Sequence, residues 1–127
     1  MDIPADLKYT AEHEWLKDEG GRMRVGITAF AQDQLGDVVY VELPRPGEHL
    51  TAMKPFGVVE SVKAASDLFS PITGVVVEVN GRLVDEPDLV NRDPYGEGWL
   101  LVVEPVAAAA VDDLLNATDY RKLTESS

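Results

Sequence analysis

Two extended runs open the patterned part of the chain. In "EWLKDEGGRMRVGI", Met23, Val25 and Ile27 alternate with Arg22, Arg24 and Gly26, the period of a strand with one buried face. The acidic Gly20-Gly21 turn between the runs predicts a hairpin. The period then changes, because Ala31 and Leu35 follow Ile27 at intervals of four, with Thr28 placed to cap and Gly36 to stop; a short helix is expected. "GDVVYVELPRPG" and "GVVVEVNG" read as β-branched strands, ended by Pro44 and Pro46 and by an Asn-Gly turn signal respectively.

Those two strands resemble one another, Gly36 to Val41 against Gly74 to Val79, although six valine-rich positions can match by chance. Between them lies "VVESVKAASDLFSP", Val58 to Pro71. Alternation predicts a hairpin anchored by Val58 and Val62 on one side and by Leu68 and Ile72 on the other. Its tip holds Lys63 and two alanines where Asn-Gly or Asp-Gly would be ordinary.

Beyond this hairpin, "VDEPDLVNRDPYGEGW" predicts a helical turn and a loop, and "WLLVVEP" a buried strand. Val106, Ala110 and Leu114 share one helical face with Val111 and Leu115, and Thr118 or Asp119 can cap a second short helix through Tyr120 and Leu123. Short strands followed by helices predict an α+β, mainly β architecture. At 127 residues and 45% hydrophobic content, a single domain spanning 1–127 is expected. Its core falls at about 7–104 and a C-terminal helical segment at about 106–123.

Composition narrows the chemistry. The net charge of −12, from 23 acidic and 11 basic residues, disfavours nucleic acid and anionic membranes as partners. There is no cysteine, hence no disulfide framework, thiolate metal site or thiol nucleophile. "MDIPADLKYT" lacks the features of a signal peptide, and no apolar run approaches a membrane span. A cytoplasmic location is expected, or the mitochondrial matrix if a transit peptide has been removed.

His13 and His49 are the only histidines, and His13-Glu14-Trp15-Leu16-Lys17 lacks the second histidine of a zinc helix. No phosphate-binding glycine loop or Gly-x-Ser-x-Gly elbow occurs, and the acids from Asp85 to Asp93 do not fit a calcium loop. No self-sufficient active site is therefore read from these side chains, and a small enzyme using Asp, Glu and His stays open as an alternative to a carrier that is not itself an enzyme. What remains is Lys63, on a strand-based support with small Ala64 and Ala65 beside it. A lysine so presented suits enzymatic acylation of its amine.

"ESVKAASD" resembles the attachment motif of lipoyl-bearing proteins, and in this form that of the glycine-cleavage H-protein family. "KYTAEHEWLK", "VGIT..AQ..LGDVVYVELP" and "LVN.DPYGEGW" are similar to segments of that family in the same order, so the resemblance runs from about Leu7 to Tyr120. A biotin carrier would show methionine on both sides of the lysine, where this chain has Val62 and Ala64.

The resemblance implies the flattened β-sandwich of lipoyl and biotinyl domains, a barrel-sandwich hybrid of two quasi-equivalent halves, with short helices including C-terminal ones. It implies lipoate amide-linked to Lys63, and Glu60 as the acid read by the lipoate-attaching enzyme. Glu14 and Asp67 would line a cleft that protects the loaded arm. Histidines that relatives can carry at the positions of Phe30 and Gln34 are missing.

The implied function is a carrier that takes the aminomethyl group of glycine from a PLP-dependent glycine decarboxylase to a tetrahydrofolate-dependent aminomethyltransferase. Dihydrolipoamide dehydrogenase, a flavin (FAD) enzyme, then reoxidises the arm, and a monomer is expected. The alternative is a relay protein that donates lipoyl groups to other complexes. Trp15 and Trp99 are read as packing residues.

Overall fold

The computed structural model describes residues 2–107 and 111–126. In chain order the elements are β1 (Lys8–Tyr9), β2 (Glu14–Glu19), β3 (Arg22–Ile27), α1 (Ala29–Leu35), β4 (Val38–Glu42), β5 (His49–Leu50), β6 (Pro55–Ser61) and β7 (Ala65–Phe69). They continue with β8 (Gly74–Val79), a 3₁₀ turn (Gly81–Val84), α2 (Leu89–Arg92), β9 (Leu101–Pro105) and α3 (Ala117–Glu125). Two antiparallel sheets result, a six-stranded one in the order β1-β2-β3-β9-β8-β5 and a three-stranded one in the order β4-β6-β7. Val25, Val76, Leu101 and Val103 from the first meet Val38, Val59 and Leu68 from the second in one core, so the fold is the expected mainly β sandwich. No helix among the described residues is long and apolar enough to cross a membrane.

The local signals act as their chemistry requires. Gly20 and Gly21 both have positive φ, 72° and 96°, which turns the β2–β3 hairpin with the twist of its strands. Thr28 accepts a hydrogen bond from the Ala31 amide to cap α1, and Gly36 ends it at φ 76°. Asn80 does not close a hairpin. Its side chain caps the 3₁₀ turn and donates to the carbonyls of Glu97 and Trp99 at 2.8 and 2.7 Å.

The similar strands lie one in each sheet, β4 at the edge of the smaller and β8 between β9 and β5 in the larger. Val38 and Val76 are both buried, and each strand shifts register at the matching step, Val38 to Tyr40 and Val76 to Glu78. A shared bulge at one repeat position carries more weight than shared valines, since a bulge is a specific departure from the ladder.

Three expectations are corrected. Val59, not Val58, points into the core at 2% exposure, while Val62 is 68% exposed. A valine doublet leaves strand parity open, and a one-residue slip exchanges the faces. Secondly, the helical spacing from Val106 to Leu115 does not produce an α-helix at 106–107 or 111–115; Ala110 lies outside the described residues. Val106 is exposed and donates to the Thr73 carbonyl, and Leu115 exchanges backbone hydrogen bonds of 2.8 Å with Tyr9. Pairing with the edge of β1 satisfies the backbone, and Val111 and Leu114 still reach the core. Thirdly, α3 is capped by neither Thr118 nor Asp119 but by Asn116, whose side chain accepts from the Asp119 amide at 2.8 Å.

Candidate functional site

The tip of the β6–β7 hairpin owes its shape to Ser61. Its hydroxyl accepts from the amides of Lys63 and Ala64, both at 3.1 Å, and its own amide donates to the Ala64 carbonyl at 2.8 Å. A serine turn of this kind replaces the backbone conformations that Asn-Gly would supply. The Val62 amide donates to the Asp37 carbonyl at 3.0 Å, tying the tip to the loop between α1 and β4. Lys63 is exposed, and its stem lies over Gly36. Sequence reasoning found the lysine and missed the serine, although a hydroxyl two residues before a tight tip is a readable signal.

Beside the tip is a cleft of about 570 Å³. β2 and its preceding loop contribute Glu12, His13 and Glu14, α1 contributes Phe30, Ala31, Gln34 and Leu35, and the hairpin contributes Val59, Ala64, Asp67 and Phe69. The structure thus brings Glu14 and Asp67 together, with Ala64 linking the same cleft to Lys63. Phe30 and Gln34, where histidine is missing, are both in its wall. Glu60 is elsewhere: it is exposed on β6, opposite Tyr40 and Ala65. Around it the β4 bulge turns Val39 and Tyr40 to solvent at 55% and 48% exposure.

Glu14 is 2% exposed. It accepts from the Thr10 hydroxyl at 2.7 Å and from the Phe69 amide at 3.4 Å. Burial pushes its carboxyl up to about 7, and these hydrogen bonds to the charged form offset only part of that rise. It can therefore change charge near neutrality. Asp67 is exposed, so the two acids of the cleft sit in different dielectric surroundings.

His13 is a cleft residue that sequence reasoning gave no role. It adopts φ 72°, uncommon without glycine, and its ring lies 4.7 Å from that of Phe30. Nδ1 shares a hydrogen bond of 2.8 Å with the Tyr120 hydroxyl, which also shares one of 2.7 Å with Thr28. Burial holds His13 below the ordinary imidazole value, which favours the neutral ring. Trp15 is buried and donates from Nε1 to the Pro94 carbonyl at 2.9 Å, and Trp99 lies under the Arg24 guanidinium at 4.3 Å; both pack.

The family model described as glycine cleavage H-protein matches residues 7–127. The chain is 57% identical over 123 residues to a glycine cleavage system H protein of Symbiobacterium thermophilum, covering 97% of this chain and 96% of that one. It is 52% identical over 125 residues to one of Bacillus subtilis, covering 98% of each. The crystal structure of a glycine cleavage system H protein from Mycobacterium marinum superposes with a TM-score of 0.89 at 46% identity, over 97% of this chain and 99% of the other.

Proposed function

Because the chain belongs to the glycine cleavage H-protein family, we propose that it carries lipoate on Lys63 and serves the glycine cleavage system as an aminomethyl carrier. The observation that carries this reading is the adjacency of an exposed lysine tip and a cleft sharing Ala64 with it. The residues present fit the group. Ile27, Phe30, Leu35 and Val59 give apolar wall for an acyl chain, and Glu14 and Asp67 give carboxylates for a cationic end.

When attached to Lys63, lipoate would supply the dithiolane chemistry for aminomethyl carriage between a PLP-dependent decarboxylase and a tetrahydrofolate-dependent aminomethyltransferase, with dihydrolipoamide dehydrogenase as the reoxidising partner. The chain's own residues do the holding. Ser61 and the Val62–Asp37 hydrogen bond fix the tip on which Lys63 stands. Glu60, exposed beside it, is the acid available to a lipoate-attaching enzyme. Glu14 and Asp67 favour an ammonium in the cleft and shelter it from water, with Glu14 contributing more fully once ionised above about pH 7. A tether of this kind raises local concentration at successive active sites without requiring catalytic groups on the carrier.

Lys63→Arg tests the assignment, since it keeps the charge and removes the acylable amine. The expected variant is folded, gains no lipoyl mass and supports no glycine cleavage when reconstituted with the partner enzymes. Retained glycine cleavage by this variant overturns the reading. Wild-type protein that gains lipoate but shows no glycine-dependent aminomethylation would belong instead to a lipoyl relay. A Glu14→Gln, Asp67→Asn double variant is expected to shorten the lifetime of the aminomethyl form without partners present; an unchanged lifetime removes the sheltering role.

A further inference from the structure

The Lys63 tip does not stand on its own hairpin alone. Its Val62 amide rests on the Asp37 carbonyl, and both peptide groups flanking Asp37 are gripped by one side chain from a distant segment. The Asn91 amide donates through Nδ2 to the Gly36 carbonyl and accepts at Oδ1 from the Val38 amide, each at 2.8 Å. Nδ2 also donates to Gln32 Oε1 at 3.1 Å, joining the shelf to α1. A carboxamide supplies a donor and an acceptor on one short planar group, whereas an ionised carboxylate can only accept. The "LVN" stretch that contains Asn91 is on α2, far from the lysine in sequence.

From these contacts we infer that Asn91 is a positioning residue for Lys63. It fixes the Gly36–Val38 shelf, the shelf fixes Asp37, and Asp37 holds Val62 and the tip. The Lys63 stem lies over Gly36 on the same shelf, so one side chain governs both the seat of the tip and the surface under the amine. The inference rests on Lys63 being the acylated residue for its kinetic consequence, whereas the mechanical coupling of Asn91 to the tip stands without it.

The test uses full-length protein prepared without lipoate and the variants Asn91→Asp and Asn91→Ser. Aspartate keeps the acceptor for Val38 and loses the donor to Gly36. A lipoate ligase with ATP and lipoic acid is the probe, with intact mass as the readout. A misplaced amine in an otherwise intact docking surface lowers kcat by at least tenfold and leaves KM within twofold. General loosening would instead raise apparent KM in proportion to the unfolded fraction.

Amide exchange gives the second readout. In folded Asn91→Asp the Val62 amide exchanges at least tenfold faster than in wild type, while the Leu100 amide, bonded to the Val25 carbonyl, does not change. A kcat within twofold of wild type, or unchanged Val62 protection, overturns the inference. If neither variant folds, wild-type exchange decides: Val38 and Val62 amides opening together support one unit, and Val62 opening tenfold faster than Val38 overturns it. Wild-type protein that resists lipoylation at Lys63 refutes the functional reading, and the exchange result still judges Asn91.

Discussion

The side chain of Lys63 lies across the α-carbon of Gly36, so closely that a β-carbon there would meet Cε at 3.1 Å and Nζ at 3.6 Å. Gly36 also sits at φ 76° and ψ −158°, a region that side chains other than glycine's occupy at a cost of about 1–3 kcal/mol. Gly36→Ala is expected to lower the unfolding free energy by that amount, read as a lower urea midpoint with the m value unchanged. It also displaces the lysine stem from its seat. An unchanged midpoint would mean that the loop relaxes freely.

Glu14 makes stability depend on pH in a direction opposite to that of a salt-bridged acid. Its folded carboxyl titrates at about 7, above the ordinary 4.5, because of burial. The folded state therefore holds the proton more tightly, and the associated stability is full below about pH 4.5 and lost as pH rises through 7. The difference corresponds to roughly 3 kcal/mol. Glu14→Gln is expected to match wild type near pH 4.5 and to exceed it by about that amount at pH 8. A difference independent of pH between the two would remove the buried-acid account.

What the sequence disclosed depended on whether one pattern had one solution. Strict alternation in β3 and the Thr28 to Gly36 frame of α1 each had one, and both elements formed. The Val58-Val59 doublet had two parities, and the core took Val59. The apolar spacing of Val111, Leu114 and Leu115 was real, but edge pairing with Tyr9 satisfied it without an α-helix. At the site, Lys63 came from its place at the tip of an alternating hairpin, whereas Glu60, Glu14 and Asp67 came from a family resemblance, which says nothing of burial. That Glu14 is 2% exposed and Asp67 exposed follows from packing between distant strands. His13 and Tyr120 meet across 107 positions, beyond any local pattern.

The displaced cap on α3 gives a direct comparison. Asn116 accepts from the Asp119 amide and follows Leu115, whose extended pairing with Tyr9 sets the entry of the helix. Asn116→Ala is expected to cost about 1 kcal/mol. Thr118→Ala, inside the helix and exposed, is expected to be neutral or slightly stabilising, because alanine is the better helix former. Urea unfolding of the pair distinguishes the caps; equal effects would place the start of α3 elsewhere.

Tyr120 connects that helix to the cleft. Its ring stacks on Tyr9 at 4.6 Å, and its hydroxyl joins His13 Nδ1 and Thr28 Oγ1. Burial pushes that hydroxyl up to about 12, so it stays protonated as a hydrogen-bonding group across the working range. Tyr120→Phe keeps the stack and removes the hydrogen bonds to buried Thr28 and half-buried His13, at an expected cost of about 1–3 kcal/mol. Tyr120→Leu loses the stack as well and should cost about 0.5–1.5 kcal/mol more. The phenylalanine variant also releases the His13 ring from its tether, so line broadening of the His13 ring protons should report a looser cleft wall while Trp15 resonances stay sharp. A phenylalanine variant as stable as wild type, with unaltered His13 resonances, would show that the α3 hydroxyl does not hold the cleft.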